Sequence, residues 1–237
     1  SDLRRQRQMC IRDSDLVKYE PIMTFITAPT PMHDNGMVDA SIVEDAVLKL
    51  ITHTKSLVVI KSTITPDVIN RLYNSIHDDD KPRLTYNPEF LTENSAKEQF
   101  IYSTYHVLGG CSNESCSRVI DFYNQFSLCV GRNFITMTPQ EASFVKYAIN
   151  SYLGMKVTFF NQLYDAALDF GSSPNRIINA VAADKRVGYS HTRVPGFDGK
   201  KGFGGACLPK DMNAFVKFNK DLTCLLYTSP SPRDRSL

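Results

Sequence analysis

Residues 202–211 read Gly-Phe-Gly-Gly-Ala-Cys-Leu-Pro-Lys-Asp, the stretch of this chain richest in chemistry. Its glycines let backbone approach a ligand closely. Cys207 follows, then Pro209, which suits the first turn of a helix, and Asp211 stands four residues past the thiol. A thiol at a helix N-terminus beside Lys210 sits in positive potential, the setting that makes a cysteine a nucleophile. One turn on, Asp211 projects to the same side and can hold a water or act as a base. Two plainer readings stay open: a glycine-rich turn with a buried thiol, and an exposed acid favoured by the helix dipole.

Two further pairs share the four-residue spacing. Lys146 and Asn150 point from one face of a helix, and a cation beside an amide donor suits negative charge developing on an oxygen. A solvated helix face has the same pattern. Glu89 and Glu93 stand in Asn87-Pro88-Glu89-Phe90-Leu91-Thr92-Glu93, where loop and helix are both open. His33, His53, His77 and His106 show no ligand spacing and read as surface or satisfied loop residues. The six cysteines form no paired-ligand pattern, so no metal is expected and reduced thiols in a cytoplasmic protein are.

These residues need elements to hold them. Short apolar, β-prone runs at Pro21–Ala28, Ser56–Ile60, Leu84–Tyr86, His106–Gly109 and Phe134–Met137 read as strands. Helical spacing over 39–52, from Pro66, and over 114–126 alternates with them, which predicts βαβ units and an open parallel α/β sheet. Then the period changes. From Pro139 to Phe170 the only breaker is Gly154, predicting one helix of about 30 residues, roughly 45 Å long. Gly171 caps it and Ser173-Pro174 opens another helix reaching Ala183. So long a helix needs a second surface, and a homodimer through 139–170 is expected.

Composition fits one or two globular domains: 237 residues, 42% hydrophobic and 22% charged. No apolar run approaches the roughly 18 residues of a membrane span. The formal charge of +2 resides in the ends. Residues 1–14 and 224–237 hold six arginines against three aspartates, leaving 21 basic against 22 acidic groups elsewhere. Nothing there suggests nucleic acid. Both ends change character abruptly and read as non-native tails. The remainder divides into 15–138, with the alternating strands, and 139–223, with the long helix and the cysteine loop.

Four motifs thus stand in order: Lys61-Ser62-Thr63, Asn87–Glu93, Lys146…Asn150 and Gly202–Asp211. With Pro29-Thr30-Pro31 and Asp184-Lys185-Arg186-Val187-Gly188, they closely resemble the UDP-glucose/GDP-mannose dehydrogenase family over essentially all of 15–223. The resemblance implies an α/β fold: the C-terminal part of a Rossmann-type parallel sheet, then a helical dimerisation domain. No Gly-x-Gly-x-x-Gly follows a strand, so the first βαβ unit is expected to be missing and the chain to be an internal fragment, binding NAD poorly by itself. A dimerising module without catalysis is the alternative for such a fragment.

The resemblance further implies oxidation of a nucleotide sugar's C6 alcohol to a carboxylate by two hydride transfers to NAD, with UDP-glucose the expected substrate and GDP-mannose the alternative. Cys207 would carry a thiohemiacetal and then a thioester. Asp211 would hold a water, Lys146 and Asn150 would stabilise the substrate oxygen, Glu89 would serve thioester hydrolysis, and Thr63 would position the catalytic water. Thr30, Ser62, Thr63, Glu93 and Lys210 would contact the cofactor. Glu89, Phe90, Leu91, Lys146, Asn150, Phe203 and Gly204 would line the substrate, with Arg186 reaching it across a dimer interface. The segment His191–Lys201 departs from shorter family loops and is given no role.

Overall fold

Five short strands lie side by side in sequence order in the computed structural model: β1 (Met23–Ile26), β2 (Leu57–Ile60), β3 (Leu84–Tyr86), β4 (Tyr105–Gly110) and β5 (Asn133–Met137). Residues 19–92, 95–131, 133–205 and 207–222 are described. The helices are α1 (Ser41–His53), α2 (Pro66–Ser75), α3 (Ala96–Ile101), α4 (Asn113–Phe126), α5 (Pro139–Asp169), α6 (Pro174–Ala182) and α7 (Leu208–Phe218). No helix among the described residues is long and apolar enough to cross a membrane.

The chain divides into two compact units. One comprises the chain through Pro31 together with Asp39–Lys146; the other comprises Met32–Val38 and the chain from Tyr147 onward.

In the first unit β2 is buried at all four positions because helices cover both faces of the sheet. Val58 and Ile60 pack with Val43 and Val47 of α1 and with Ile69 and Leu72 of α2. Leu57 and Val59 pack on the other side with Cys116, Val119 and Tyr123 of α4. Full burial of each such side chain is worth roughly 1.5–3 kcal/mol, so β2 anchors the sheet. The edge strand β5 contributes less, since Asn133, Ile135 and Thr136 remain exposed.

One pairing departs from the all-parallel expectation. β1–β2, β2–β3 and β4–β5 run parallel, but β3 and β4 are antiparallel, with Thr85 opposite Gly110 and Tyr86 opposite Gly109. The connection explains it. A parallel crossover needs a helix that carries the chain back along the strand, and α3 has six residues, about 9 Å. The chain therefore re-enters beyond the carboxyl end of β3 and runs back. Short length also left α3 without a readable period in the sequence. His106, read as a surface or loop residue, is instead buried on β4, its ring stacked on Phe134 at 5.2 Å and lying 4.8 Å from Tyr123.

Glycines at 109 and 110 permit close approach. A Cβ on Gly109 would lie 2.6 Å from the Pro139 Cα and 2.9 Å from the Ala142 Cβ, where the first turn of α5 crosses the strand. At Gly110 the obstacle would be the Ser115 hydroxyl at 2.3 Å, inside the capping box that Ser112 and Ser115 form at the start of α4.

In the second unit α5 ends as the sequence suggests. Gly171 takes φ 70°, its N–H donates to the Leu168 carbonyl, and that of Ser172 donates to Ala167, a Schellman arrangement. Tyr147, Met212, Phe215 and Phe203 form the main core here. Phe160, Ile178 and Val194 form a smaller one. Met212 of α7 lies so near α5 that a Cβ on Gly154 would stand 2.1 Å from its Sδ.

Gly109→Ala is expected to destabilise the chain by about 2–3 kcal/mol, since backbone rather than a movable side chain must yield. Urea denaturation followed by circular dichroism measures this; a loss below about 0.5 kcal/mol would contradict the account.

Candidate active site

Two polar clusters stand out, one in each unit. The first gathers at the carboxyl ends of the parallel strands, where ligands of open α/β sheets bind. Asn87 follows β3 directly and is almost fully buried. Its N–H donates to the Ile60 carbonyl, extending the ladder one step past the strands. Pro88 then stiffens the chain and Glu89 faces the first turns of α5. The Lys146 ammonium donates to the Glu89 carbonyl at 2.5 Å and to its Oε1 at 3.4 Å, and sits 5.5 Å from the centre of the Phe90 ring. The other Glu89 oxygen accepts the Leu91 N–H.

Lys146 is 3% exposed, which excludes the solvated-face reading of this helix. A buried ammonium requires such partners, because an isolated charge in the interior costs several kcal/mol. Ser143, one turn earlier, donates to the Ile64 carbonyl and fixes the loop that carries Thr63. The hydroxyl of Ser62 is committed to the Ala28 carbonyl, so it ties the loop after β2 to the loop after β1, where Thr30 is buried. Glu93 lies outside the described residues.

The second cluster is built on α7. Cys207 occupies the residue before the first turn, exposed, and its carbonyl accepts the Asp211 N–H at 2.9 Å. Asp211 is 1% exposed, so it is not a solvated first-turn acid. Asn150 donates its amide N–H to one carboxylate oxygen at 2.5 Å and the Lys210 ammonium donates to the other at 2.6 Å. Each oxygen thus has its own donor. Lys210 is directed at Asp211, a contact its assignment to cofactor did not foresee.

The glycine loop before Cys207 is held from behind. The Gly202 N–H donates to Oδ1 of Asn161, whose own amide donates to the Val157 carbonyl. Phe203 is buried in the core with Tyr147 and Met212 and anchors the loop, while Gly204 beside it is part-buried. Lys201 is ion-paired with Asp165 and lies 5.0 Å from the Tyr164 ring centre. Asn161 received no role from the sequence; its place eleven residues after Asn150, on the same stripe of α5, is the signal that marks it.

Upstream, Arg186 is exposed and its guanidinium grips Asp184 through two nitrogens, which lowers the Asp184 pKa. Lys156 is a second residue the sequence reading missed. It is buried and donates to the Val187 and Gly188 carbonyls at 2.7 and 3.1 Å, fixing the turn after Arg186. Burial lowers its pKa. In the segment 191–201, Arg193 stacks 4.5 Å above the Phe197 ring. Burial, with Lys156 nearby, lowers the His191 pKa. Among the described residues no group of three His, Cys, Asp or Glu side chains is placed to hold a metal.

Such geometry can do covalent chemistry on a carbonyl: an exposed thiol at a helix start, and a buried carboxylate one turn along with a donor on each oxygen. Comparison with known proteins identifies the family. Residues 12–127 match the profile of the NAD binding domain of the UDP-glucose/GDP-mannose dehydrogenase family, and 140–228 match its central domain. A UDP-glucose 6-dehydrogenase of Rickettsia felis is 32% identical over 207 residues, covering 86% of this chain and 44% of that protein. One from Bacillus subtilis is 30% identical, covering 81% and 43%. Among solved structures, a UDP-glucose dehydrogenase from Pyrobaculum islandicum superposes with a TM-score of 0.74 at 29% identity, over 91% of this chain and 51% of that one. The chain therefore spans about half the length of the relatives it matches.

Brief alkylation with iodoacetamide at pH 7 is expected to mark Cys207 well before Cys116 and Cys129, which are both buried. Burial also pushes the Cys116 thiol pKa up, leaving less thiolate to react. Peptide-resolved mass spectrometry reads the order, and preferential labelling of Cys116 would contradict it.

Proposed function

The chain belongs to the UDP-glucose/GDP-mannose dehydrogenase family, and from that premise we propose that it serves the NAD-dependent oxidation of a nucleotide sugar at C6, UDP-glucose to UDP-glucuronate. The observation that carries the reading is Cys207, exposed at the start of α7, one turn from a buried carboxylate with a donor on each oxygen.

The roles follow from the chemistry. Loss of hydride and proton from the C6 alcohol gives an aldehyde. The Cys207 thiolate adds to that carbonyl, forming a carbon–sulfur bond and a thiohemiacetal. Loss of a second hydride, with the hydroxyl proton, leaves a thioester, which water cleaves to the carboxylate and the free thiol. Asp211 orders that water and takes protons. Lys146 and Asn150 stabilise the developing oxyanion. Glu89, already beside Lys146, assists hydrolysis, and Thr63 orients the water. Phe90, Leu91 and Gly204 line the sugar, Phe203 holds the loop from within, and Arg186 meets phosphate with its planar fork.

NAD, when bound, accepts the hydride in each oxidation. The hydroxyl-bearing loops after β1 and β2, with Thr30, Ser62 and Thr63, would receive it at the carboxyl ends of parallel strands, and the same reading assigns Glu93 and Lys210 to the cofactor. No Gly-x-Gly-x-x-Gly occurs to grip the pyrophosphate, so these contacts supply only part of the affinity.

A second copy of the chain is the proposed partner. Tyr152, Met155 and Phe159 recur every three or four residues along α5 and face solvent, with Tyr152 58% and Phe159 55% exposed. An apolar stripe of that period suits another helix.

Two measurements test the proposal. The complete protein with UDP-glucose is expected to yield two NADH per acid formed, and Cys207→Ser to lose at least about 10³-fold in acid formation. Turnover of GDP-mannose instead would move the substrate assignment, and an active Cys207→Ser protein would end the mechanism. In sedimentation, Phe159→Glu is expected to turn dimer into monomer; a monomeric parent chain would refute the interface.

A further inference from the structure

Behind the Glu89–Lys146 pair lies a second buried lysine. Lys61 is the first residue past β2, as Asn87 is the first past β3. Its ammonium donates to Oδ1 of Asn87 at 3.0 Å, to the Asn87 carbonyl at 3.3 Å and to the Tyr123 hydroxyl at 3.4 Å. The Tyr123 O–H donates in turn to Asn87 Oδ1 at 2.7 Å, and the Asn87 amide N–H donates to the Val107 carbonyl on β4. Four elements, β2, β3, β4 and α4, thus converge on one asparagine two residues before Glu89. Pro88 between them removes a free torsion, so any displacement of Asn87 reaches Glu89 and its grip on Lys146.

We propose that Lys61 is the positioning residue of the Glu89–Lys146 cluster, its ammonium clamping Asn87 so that the Glu89 carbonyl and carboxylate stand where Lys146 meets them. The inference rests on the functional reading above for its relevance to catalysis, but its geometry is independent of any substrate. Lys61 touches no reacting atom in that scheme and acts through Asn87.

Charge is part of the clamp. An ammonium strengthens each of these hydrogen bonds relative to a neutral amine. Desolvation lowers the Lys61 pKa to about 8, against the opposing pull of Glu89 and of Cys129 and with help from Lys146. Tyr123 on α4 also faces it, and burial holds that phenol in its neutral form by raising its pKa well above the ordinary value. The ring of His106 on β4 lies tilted against that of Tyr123, 4.8 Å between centres. The sign follows: below pH 8 the ammonium holds Asn87, and as pH rises through 8 the proton leaves and the grip weakens.

Trace acetylation of the 237-residue chain, with peptide-resolved quantitation of each lysine from pH 6 to 10, tests this without NAD or sugar. Lys146 is expected to react several-fold faster in Lys61→Met than in the parent at pH 7, with Lys156 unchanged. Lys61→Arg, which keeps the charge, is expected to restore slow labelling. In the parent, Lys146 reactivity is expected to show an added step near pH 8 that Lys61→Met lacks. Should Lys61→Met not fold by circular dichroism, Tyr123→Phe removes one partner and keeps the ring; it is expected to raise Lys146 labelling at least twofold. A folded Lys61→Met or Tyr123→Phe chain with Lys146 labelling within twofold of the parent overturns the proposal, as does a parent profile without the step. Because no turnover is measured, this failure is distinct from failure of the dehydrogenase reading.

Discussion

A charged group can leave water only if partners replace the water it loses. That constraint organises both polar clusters of this protein. Asp211 is buried because Lys210 and Asn150 each donate to one of its oxygens. Lys146 is buried because Glu89 offers it both a carbonyl and a carboxylate. The groups assigned to chemistry are thus oriented by the contacts that make their burial possible. Rotamers that would be free on a surface are fixed, as a site that must place atoms to within fractions of an ångström requires.

Backbone design serves the same end. The antiparallel return of β4 keeps residues 87–92 and 95–104 at the carboxyl end of the sheet, where Asn87 and Glu89 follow β3 and Val107 supplies a carbonyl to Asn87. Gly109 lets the first turn of α5 come against that strand, which sets the height at which Lys146 begins. In the other unit Gly154 does the same for α7 by leaving room for Met212. Small residues here set distances between elements rather than flexibility.

Polar anchors recur behind the loops of both units. Ser62 ties two loops, Ser143 ties α5 to the loop of Thr63, Asn161 holds Gly202, and Lys156 holds the turn beyond Arg186. Each bond is worth about 1 kcal/mol net, so no one of them decides stability. Their shared effect is to define loop positions at the ends of rigid elements, where function is usually placed.

The sequence by itself determined the alternation of strands and helices, the long helix with its glycine cap, and the pairs Lys146/Asn150 and Cys207/Asp211, because periodicity and i, i+4 spacing are local properties of a helix. It also carried the motif order that marks the family. It did not reveal the antiparallel pairing of β3 and β4, the burial of His106, the core position of Phe203, or the anchoring roles of Lys61, Asn161 and Lys156. Those depend on contacts between residues distant in the chain, such as Lys61 with Asn87 and Tyr123, 26 and 62 positions away. A lone lysine or asparagine in a sequence reads as a solvated surface group. Only tertiary structure decides whether its charge faces water or a carbonyl, because that choice is made by which elements fold against it.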